Sequence, residues 1–435
     1  MVYRNIRLHP VLRLIYLSLR VLVWVSVRVF YRRRLVLGRQ NLRFDGPAIV
    51  VVNHPSTLMD VLNPAIEIRQ EMFYLANYGL FRHPVSKWLL TRLYCIPVKR
   101  KEDVAEGETR NNDDAFEASY RHMEKNGVLF IAAEGVSWMN RFVRPLKTGA
   151  ARIALGAEAR NEWNLHVKIV PIGLSYSAPH LFRSDVVVHV GEPVPVLDWR
   201  SDWQKNAADA ASSLTNHLEN RLKALSIHAR DEAGDQLLAH LEELLQNDHP
   251  LPQKAAFERS QRLVQTALGN AGLREQTAAY FALLKQHDLK DYGVCAAQKQ
   301  RQGWRLAVLM LGFPLFAAGY AFWFLPCYLP WLLNKKMGLY IGYSATIKIL
   351  AGVFTVPLAL WGWYRLGLLA GLSTGWGLTM LVVFVGLGYF VEVYLDWWAQ
   401  WRAVRKMGAM MANTVREAGT MRPRLITNLL ATAYT

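Results

Sequence analysis

Three apolar stretches, Leu306–Leu333, Ala345–Tyr364 and Leu366–Leu395, constrain this chain more than any other feature. Each is long enough to cross a bilayer core, which takes about twenty residues. Within hydrocarbon the backbone must satisfy its own polar groups, so such stretches are expected to be helices. Pro314, Pro326 and Pro330 interrupt the first, and Arg301, Arg305, Lys335 and Lys336 flank it. Basic flanks favour the cytoplasmic side. A re-entrant hairpin over Leu306–Leu333, followed by two spans, would keep these residues inside. It would also keep Arg402, Arg405, Lys406, Arg416, Arg422 and Arg424 of the tail on that side.

The N-terminal stretch from Val11 to Phe30 is apolar but carries Arg13, Arg20 and Arg28. Steps of seven and eight residues return to nearly the same helical face, so the three arginines form one stripe. Arg32, Arg33 and Arg34 follow. A basic stripe on an apolar helix suits a helix lying in the headgroup layer; a tilted span with snorkelling arginines is the alternative. The stretch lacks a small-residue cleavage site, so no secretory leader is expected.

The formal net charge is +17, which favours anionic partners. No zinc-finger spacing, RNA-binding aromatic signature or separate basic arm points to nucleic acid. The expected partner is therefore an anionic phospholipid membrane. Cys95, Cys295 and Cys327 lie far apart without metal-ligand spacing, and read as free thiols in a reducing compartment. No metal motif is present, and no bound cofactor is expected.

Between the apolar ends the pattern changes twice. Strand signals at Ala48–Val52, Phe73–Ala76, Cys95–Val98, Val128–Ala132, Val167–Leu174 and Val186–Val190 alternate with helical stretches such as Asp114–Lys125 and Thr148–Arg160. This alternation predicts an α/β domain. Beyond Ser201 the strand signals stop. Leucines recur at helical spacing, at Leu214, Leu218, Leu222 and Leu225 and again at Leu237, Leu238, Leu241, Leu244 and Leu245. The expected organisation is an amphipathic membrane-anchoring helix (1–36), an α/β domain (37–200), a helical insert (201–302), a transmembrane region (303–400) and a basic C-terminal tail (401–435).

The chemistry is concentrated after the strand Ala48–Val52, in Asn53-His54-Pro55-Ser56-Thr57-Leu58-Met59-Asp60. Open α/β sheets place their sites at the carboxyl ends of strands, and a carboxylate that orients an imidazole makes a general base. On one continuous helix a step of six residues separates the two side chains by about 240°. They can meet if His54 sits in the turn before a helix that starts at Pro55, a residue favoured at the first helical position. Ser56 reads as a hydrogen-bonding residue at that helix start rather than a nucleophile.

Asn-His-x-Ser followed by Asp resembles the first block of the glycerolipid acyltransferases, the glycerol-3-phosphate and lysophosphatidate acyltransferase family. The five residues between His54 and Asp60 are similar to its longer-spaced branch. Cys95-Ile96-Pro97-Val98-Lys99-Arg100 resembles the second block, which implies that Arg100 binds acceptor phosphate. Phe130-Ile131-Ala132-Ala133-Glu134-Gly135 resembles the third, placing Glu134 and Gly135 in the acceptor site, although Ala133 stands where proline is usual. An arginine often found just after the glycine is replaced by Val136-Ser137-Trp138. Pro145-Leu146-Lys147-Thr148-Gly149-Ala150 implies Lys147 as a second cation, and Ile169-Val170-Pro171-Ile172-Gly173-Leu174 resembles the fourth block.

The resemblance covers roughly residues 40 to 195. It implies a glycerolipid-acyltransferase-like α/β domain, with the helical insert and C-terminal transmembrane helices outside it. It further implies an integral membrane enzyme whose catalytic domain faces the cytoplasm, with His54 and Asp60 catalytic. Acyl-CoA or acyl-ACP (acyl carrier protein) would be the co-substrate. The implied acceptor is glycerol-3-phosphate, or alternatively lysophosphatidate or another lysophospholipid. A non-catalytic lipid-binding membrane protein is the rival of another class. A transporter is disfavoured because the spans are few and show no internal repeat.

Overall fold

The computed structural model describes residues 10–434 except 93, 101–102, 104–110, 299–304 and 411. The chain forms two compact units. One ends at His228 and also takes in Ile341–Thr346; the other comprises Ala229–Tyr340 and the residues from Ile347 onward.

The described residues of the first unit begin with helix α1 (Pro10–Phe30) and form a single eight-stranded sheet. Its strands are β1 (Arg33–Leu37), β2 (Ala48–Val52), β3 (Met72–Asn77), β4 (Cys95–Val98), β5 (Val128–Ala132), β6 (Lys168–Tyr176), β7 (Asp185–Val190) and β8 (Val194–Pro195). Their spatial order is β1-β7-β6-β2-β5-β3-β4, with β8 paired to β6. Strand β2 runs parallel to both its neighbours, β5 and β6. All five of its residues are buried, which is why it reads as an unbroken β-branched run rather than an alternating one. β3 is parallel to β5 and β4 is parallel to β3, so β2, β3, β4, β5 and β6 all end on one edge of the sheet.

Pro171 sits inside β6, where a proline is ordinarily excluded. Its carbonyl accepts the Gly191 N–H at 2.9 Å. Its main-chain groups therefore face the turn between β7 and β8, where the missing N–H costs no ladder bond. The helices of this unit are α2 (Leu58–Ala65), α3 (Pro84–Arg92), α4 (Asp113–Met123), α5 (Gly149–Arg160), α6 (Arg200–Lys205) and α7 (Ala207–Leu225). Buried residues of α4, α5 and α7, among them Ala118, Leu155, Leu214 and Leu218, form one apolar core with Ile49, Val51, Leu129 and Ile169 of the sheet.

Four expectations change at this level. The sheet gains β1, an Arg-led strand whose charges masked it in the sequence. The boundary expected at residue 200 moves to His228, because the leucine row of α7 packs on β6 rather than in a separate insert. The arginine stripe of α1 turns in part to protein. Arg20 donates to the Arg69 and Ile66 carbonyls, at 3.1 and 3.5 Å, and Arg13 pairs with Glu71 at 3.2 Å. Leu14, Val21, Trp24 and Val29 of that helix stay exposed. The fourth change concerns the prolines of the second unit.

Among the described residues that unit is helical without strands, with α8 (Glu232–Asp248), α9 (Gln253–Thr266), α10 (Ala271–Gln286), α11 (Asp291–Gln298), α12 (Arg305–Met337), α13 (Ser344–Leu369, counted here from Ile347), α14 (Thr374–Gly408) and α15 (Ala412–Tyr434). Helices α1, α12, α13 and α14 are long and apolar enough to cross a membrane. No re-entrant hairpin forms, because α12 is one continuous helix of 33 residues through all three prolines. Pro330 has no N–H for the carbonyl four residues before it, that of Pro326. The Thr355 hydroxyl donates to that carbonyl at 3.1 Å instead. Such side-chain repair is what lets prolines persist in apolar helices. The C-terminal helix α15 carries a buried basic residue. Arg422 is only 2% exposed and bonds Asp291 at 2.8 Å and Asp248 at 3.0 Å. Asp291, fully buried, also accepts from Tyr280 Oη and Asn247 Nδ2. Removing one partner of a buried pair strands the other charge. The Asp291→Ala variant is therefore expected to lose about 3–5 kcal/mol of stability, measured as a lowered midpoint of denaturant unfolding against the parent chain.

Candidate active site

The turn that leaves β2 is held from three directions before any catalytic atom is considered. The Asn53 amide donates to the Leu174 carbonyl at 2.9 Å and accepts the Leu174 N–H at 2.7 Å, continuing the β2–β6 ladder with a side chain. The His54 N–H donates to Glu134 Oε1 at 3.0 Å, from the loop after β5. The His54 carbonyl accepts the Trp138 N–H at 3.1 Å. The turn is thus fixed on both sides of β2, to β6 through Asn53 and to the loop after β5 through the His54 backbone.

Its side chain meets Asp60. His54 Nδ1 lies 2.9 Å from Asp60 Oδ2. Asp60 is fully buried and also accepts from the Ser56 N–H at 2.6 Å and from Tyr176 Oη at 2.8 Å. Burial pushes the Asp60 carboxyl above its usual range, and the bonds from His54, Ser56 and Tyr176 oppose that rise. Burial likewise raises the Tyr176 hydroxyl well above its ordinary value, keeping it a donor. With a carboxylate at Nδ1, the imidazole proton belongs on that nitrogen, leaving the Nε2 lone pair as acceptor. No described residue hydrogen-bonds Nε2, and the side chain keeps 13% exposure.

A second rank of contacts supports Tyr176. Asn63 Nδ2 donates to Tyr176 Oη at 3.3 Å, and Asn63 Oδ1 accepts from Arg34 Nε at 3.1 Å. Arg34 pairs with Glu67 at 2.6 Å, both almost completely buried. Arg34, within the segment 1–36 expected to anchor at a membrane, thus belongs to the protein interior behind the site.

The helix expected from Pro55 begins instead at Leu58, and Asp60 stands in its first turn. The delay traces to Thr57, whose φ of 45° and ψ of −116° lie outside the helical region. Ser56 has the hydrogen-bonding role expected of it, but through its N–H to Asp60; its hydroxyl donates to the Pro179 carbonyl at 3.4 Å.

The other expected residues divide. Glu134, Gly135 and Lys147 stand beside the dyad's loop. Besides the His54 N–H, the Glu134 carboxylate takes the Arg144 backbone amide, and burial raises it to about 7. These contacts make it a clamp between two strand ends. Gly135 has a φ of 77°, and a Cβ there would lie 3.5 Å from Lys147 Cγ. The lysine stem therefore passes directly over the glycine. The Lys147 N–H bonds the Ala133 carbonyl at 2.8 Å. Arg100 lies two residues beyond β4, a strand three spacings from β2, or about 14 Å. It shares the same sheet edge, but no hydrogen bond or ion pair among the described residues joins it to the His54 loop; its N–H bonds Asp103 at 3.0 Å. Among the described residues no cluster of three His, Cys, Asp or Glu side chains could hold a metal ion.

Tyr176, Asn63 and Asn53 escaped assignment in the sequence. Asn53 had a signal in its adjacency to His54, and Tyr176 had one in its place at the same edge of the sheet. Asn63 had none beyond its neighbours.

This edge brings together an oriented imidazole, a buried carboxylate and cationic side chains, a set able to take a proton from a bound hydroxyl. Comparison with known proteins agrees. Residues 33–175 match the Acyltransferase family model. Glycerol-3-phosphate O-acyltransferase 1 of Saccharomyces cerevisiae is 28% identical over 184 residues, which is 40% of this chain and 24% of that protein. Glycerol-3-phosphate O-acyltransferase 2 of the same yeast is 31% identical over 125 residues, covering 28% of this chain and 17% of that one. The chloroplastic 1-acyl-sn-glycerol-3-phosphate acyltransferase BAT2 of Brassica napus is 25% identical over 134 residues, 30% of this chain and 37% of that protein. The matched segment is an acyltransferase domain, similar to those of glycerolipid acyltransferases. The chain spans less than a quarter of the length of either yeast relative.

The Glu134 clamp carries a pH signature. Its carboxyl, with an ordinary value of 4.5, stands at about 7 in the folded protein. Between those values the folded state binds more protons than the unfolded one, so stability falls as pH rises through that window. Glu134→Gln keeps an acceptor for the His54 N–H and removes the titration. Thermal midpoints measured between about pH 4.5 and about pH 7 are expected to fall less in the variant than in the parent; parallel curves would refute the assignment.

Proposed function

We propose that this chain is a membrane-bound O-acyltransferase that moves a fatty acyl group from an acyl thioester to the sn-1 hydroxyl of glycerol-3-phosphate. The observation that carries the reading is the contact of His54 Nδ1 with the fully buried Asp60 carboxylate, at 2.9 Å, which leaves Nε2 as the proton acceptor. The acceptor hydroxyl gives its proton to Nε2 as its oxygen attacks the thioester carbonyl. Asp60 stabilises the imidazolium so formed. When the tetrahedral adduct collapses, the carbon–sulfur bond breaks and the imidazolium proton passes to the leaving thiolate. The thioester is already activated, so no acyl-enzyme is required.

Lys147, exposed above Gly135, is the nearer of the two proposed phosphate cations, and Arg100 would reach in from the β4 end. Charge-assisted bonds to phosphate would hold the hydroxyl at the imidazole. The donor is acyl-CoA or acyl-ACP, both anionic, and the +17 chain suits either. The apolar helices support association with a membrane, and we assign the catalytic unit to the cytoplasmic side.

A lysophosphatidate acceptor is the second reading, favoured by the name of the Brassica relative. The test is transfer of a labelled acyl group by the purified full-length chain, with glycerol-3-phosphate and lysophosphatidate offered separately and both donors tried. Turnover is expected with glycerol-3-phosphate. Product from lysophosphatidate alone would reject the first acceptor. His54→Ala is expected to lower the rate by about two to four orders of magnitude, and an unchanged rate would reject the enzyme.

A further inference from the structure

The connector between the apolar helices α12 and α13 belongs, by its contacts, to the unit that holds the dyad. It forms a tight 3₁₀ turn, Ile341–Tyr343, followed by the first residues of α13. Gly342, Ser344 and Ala345 are buried. Ser344 Oγ donates to the His180 carbonyl at 3.5 Å, and two further polar contacts converge on one residue of the active-site loop. Thr57 Oγ1 donates to the Gly342 carbonyl at 3.2 Å and lies 2.9 Å from Thr346 Oγ1. A hydroxyl has one proton to give. Since that of Thr57 goes to Gly342, Thr346 is the donor in the threonine pair.

Thr57 needs such restraint. It is 7% exposed and holds a positive φ that costs a β-branched residue on the order of 1–3 kcal/mol. Such a conformation persists only where the surroundings impose it. From the other side its N–H donates to Ser137 Oγ at 3.0 Å. Its carbonyl accepts the Asp60 N–H at 3.3 Å, and its neighbour Ser56 supplies an N–H to the Asp60 carboxylate. Turning Thr57 would therefore displace both the backbone of Asp60 and one of its donors.

We propose that residues 341–346 are a positioning element of the dyad, with Thr346 and Thr57 as positioning residues that set Asp60 against His54. The C-terminal helices then do more than anchor: their first connector completes the catalytic loop. The inference rests on the acyl-transfer reading above and deepens it. Misplacement of a reacting group by about 1 Å can lower a rate a hundredfold, whereas neither threonine needs to touch substrate.

The experiment uses the full chain in detergent micelles with whichever donor and acceptor support turnover. Thr346→Val removes the donor and keeps the volume. Thr57→Gly removes the hydroxyl while relaxing the backbone, since glycine accepts positive φ without strain. Each is expected to lower kcat by about tenfold or more, with both KM values within about twofold of the parent. Thr346→Ser is expected to restore kcat. The double variant is expected to be no slower than the worse single one, since the two side chains act through one contact. If Thr346→Val keeps the parental kcat while His54→Ala is inactive, the positioning role is overturned and the dyad stands. If His54→Ala is as active as the parent, the dyad reading fails and takes this inference with it. Equal losses in Thr346→Ser and Thr346→Val, or a large fall in thermal midpoint matching the loss of rate, would show a purely structural residue and likewise overturn it.

Discussion

The site depends on a carboxylate buried away from solvent. Asp60 lies wholly inside the protein, and an ionised carboxylate there is tolerable only if protein donors replace its hydration. Three do so: a ring nitrogen, a backbone amide and a phenol. Each comes from a different part of the local structure, namely the end of β2, the turn before α2 and the end of β6. The need to surround one charge therefore fixes how three segments meet, and the imidazole takes its orientation from that arrangement. A carboxylate in water would leave the ring free to turn.

The support extends well behind the reacting atoms. Tyr176 leans on Asn63, Asn63 on Arg34, and Arg34 on Glu67. Arg34 comes from β1, whose partner β7 pairs in turn with β6. An edge strand that contributes nothing to the substrate side thus supplies the charge that steadies the hydroxyl bonded to Asp60. Such networks rigidify a site when every member is paired.

Much of the α/β unit was legible because its central strands are buried on both faces and must be apolar throughout. Ala48–Val52, Cys95–Val98 and Val128–Ala132 have the expected limits, and β3, β6 and β7 lie within two residues of theirs. The His54–Asp60 pairing was also legible, since a short loop between a strand and a helix can bring the two together. What failed to show depends on partners far away in sequence. The start of α2 is displaced by the strained Thr57, whose restraints come from residues 80 and more positions distant. Pro330 signals a break only until Thr355 repairs it. Arg34 and Arg422 resemble surface charge until the acids that bury with them, Glu67 and Asp291, are located.

Asn53 shows how narrow the chemistry of a latch can be. Its amide turns one donor and one acceptor toward the two main-chain groups of Leu174. Aspartate has almost the same shape but offers only lone pairs when ionised, so one would point at the Leu174 carbonyl oxygen. Hydrolysis of that single amide, an ordinary form of chemical ageing, would unfasten the histidine loop from β6 while leaving the size of the side chain unchanged. The lifetime of the site is then bounded by the chemical durability of one carboxamide as well as by the stability of the fold.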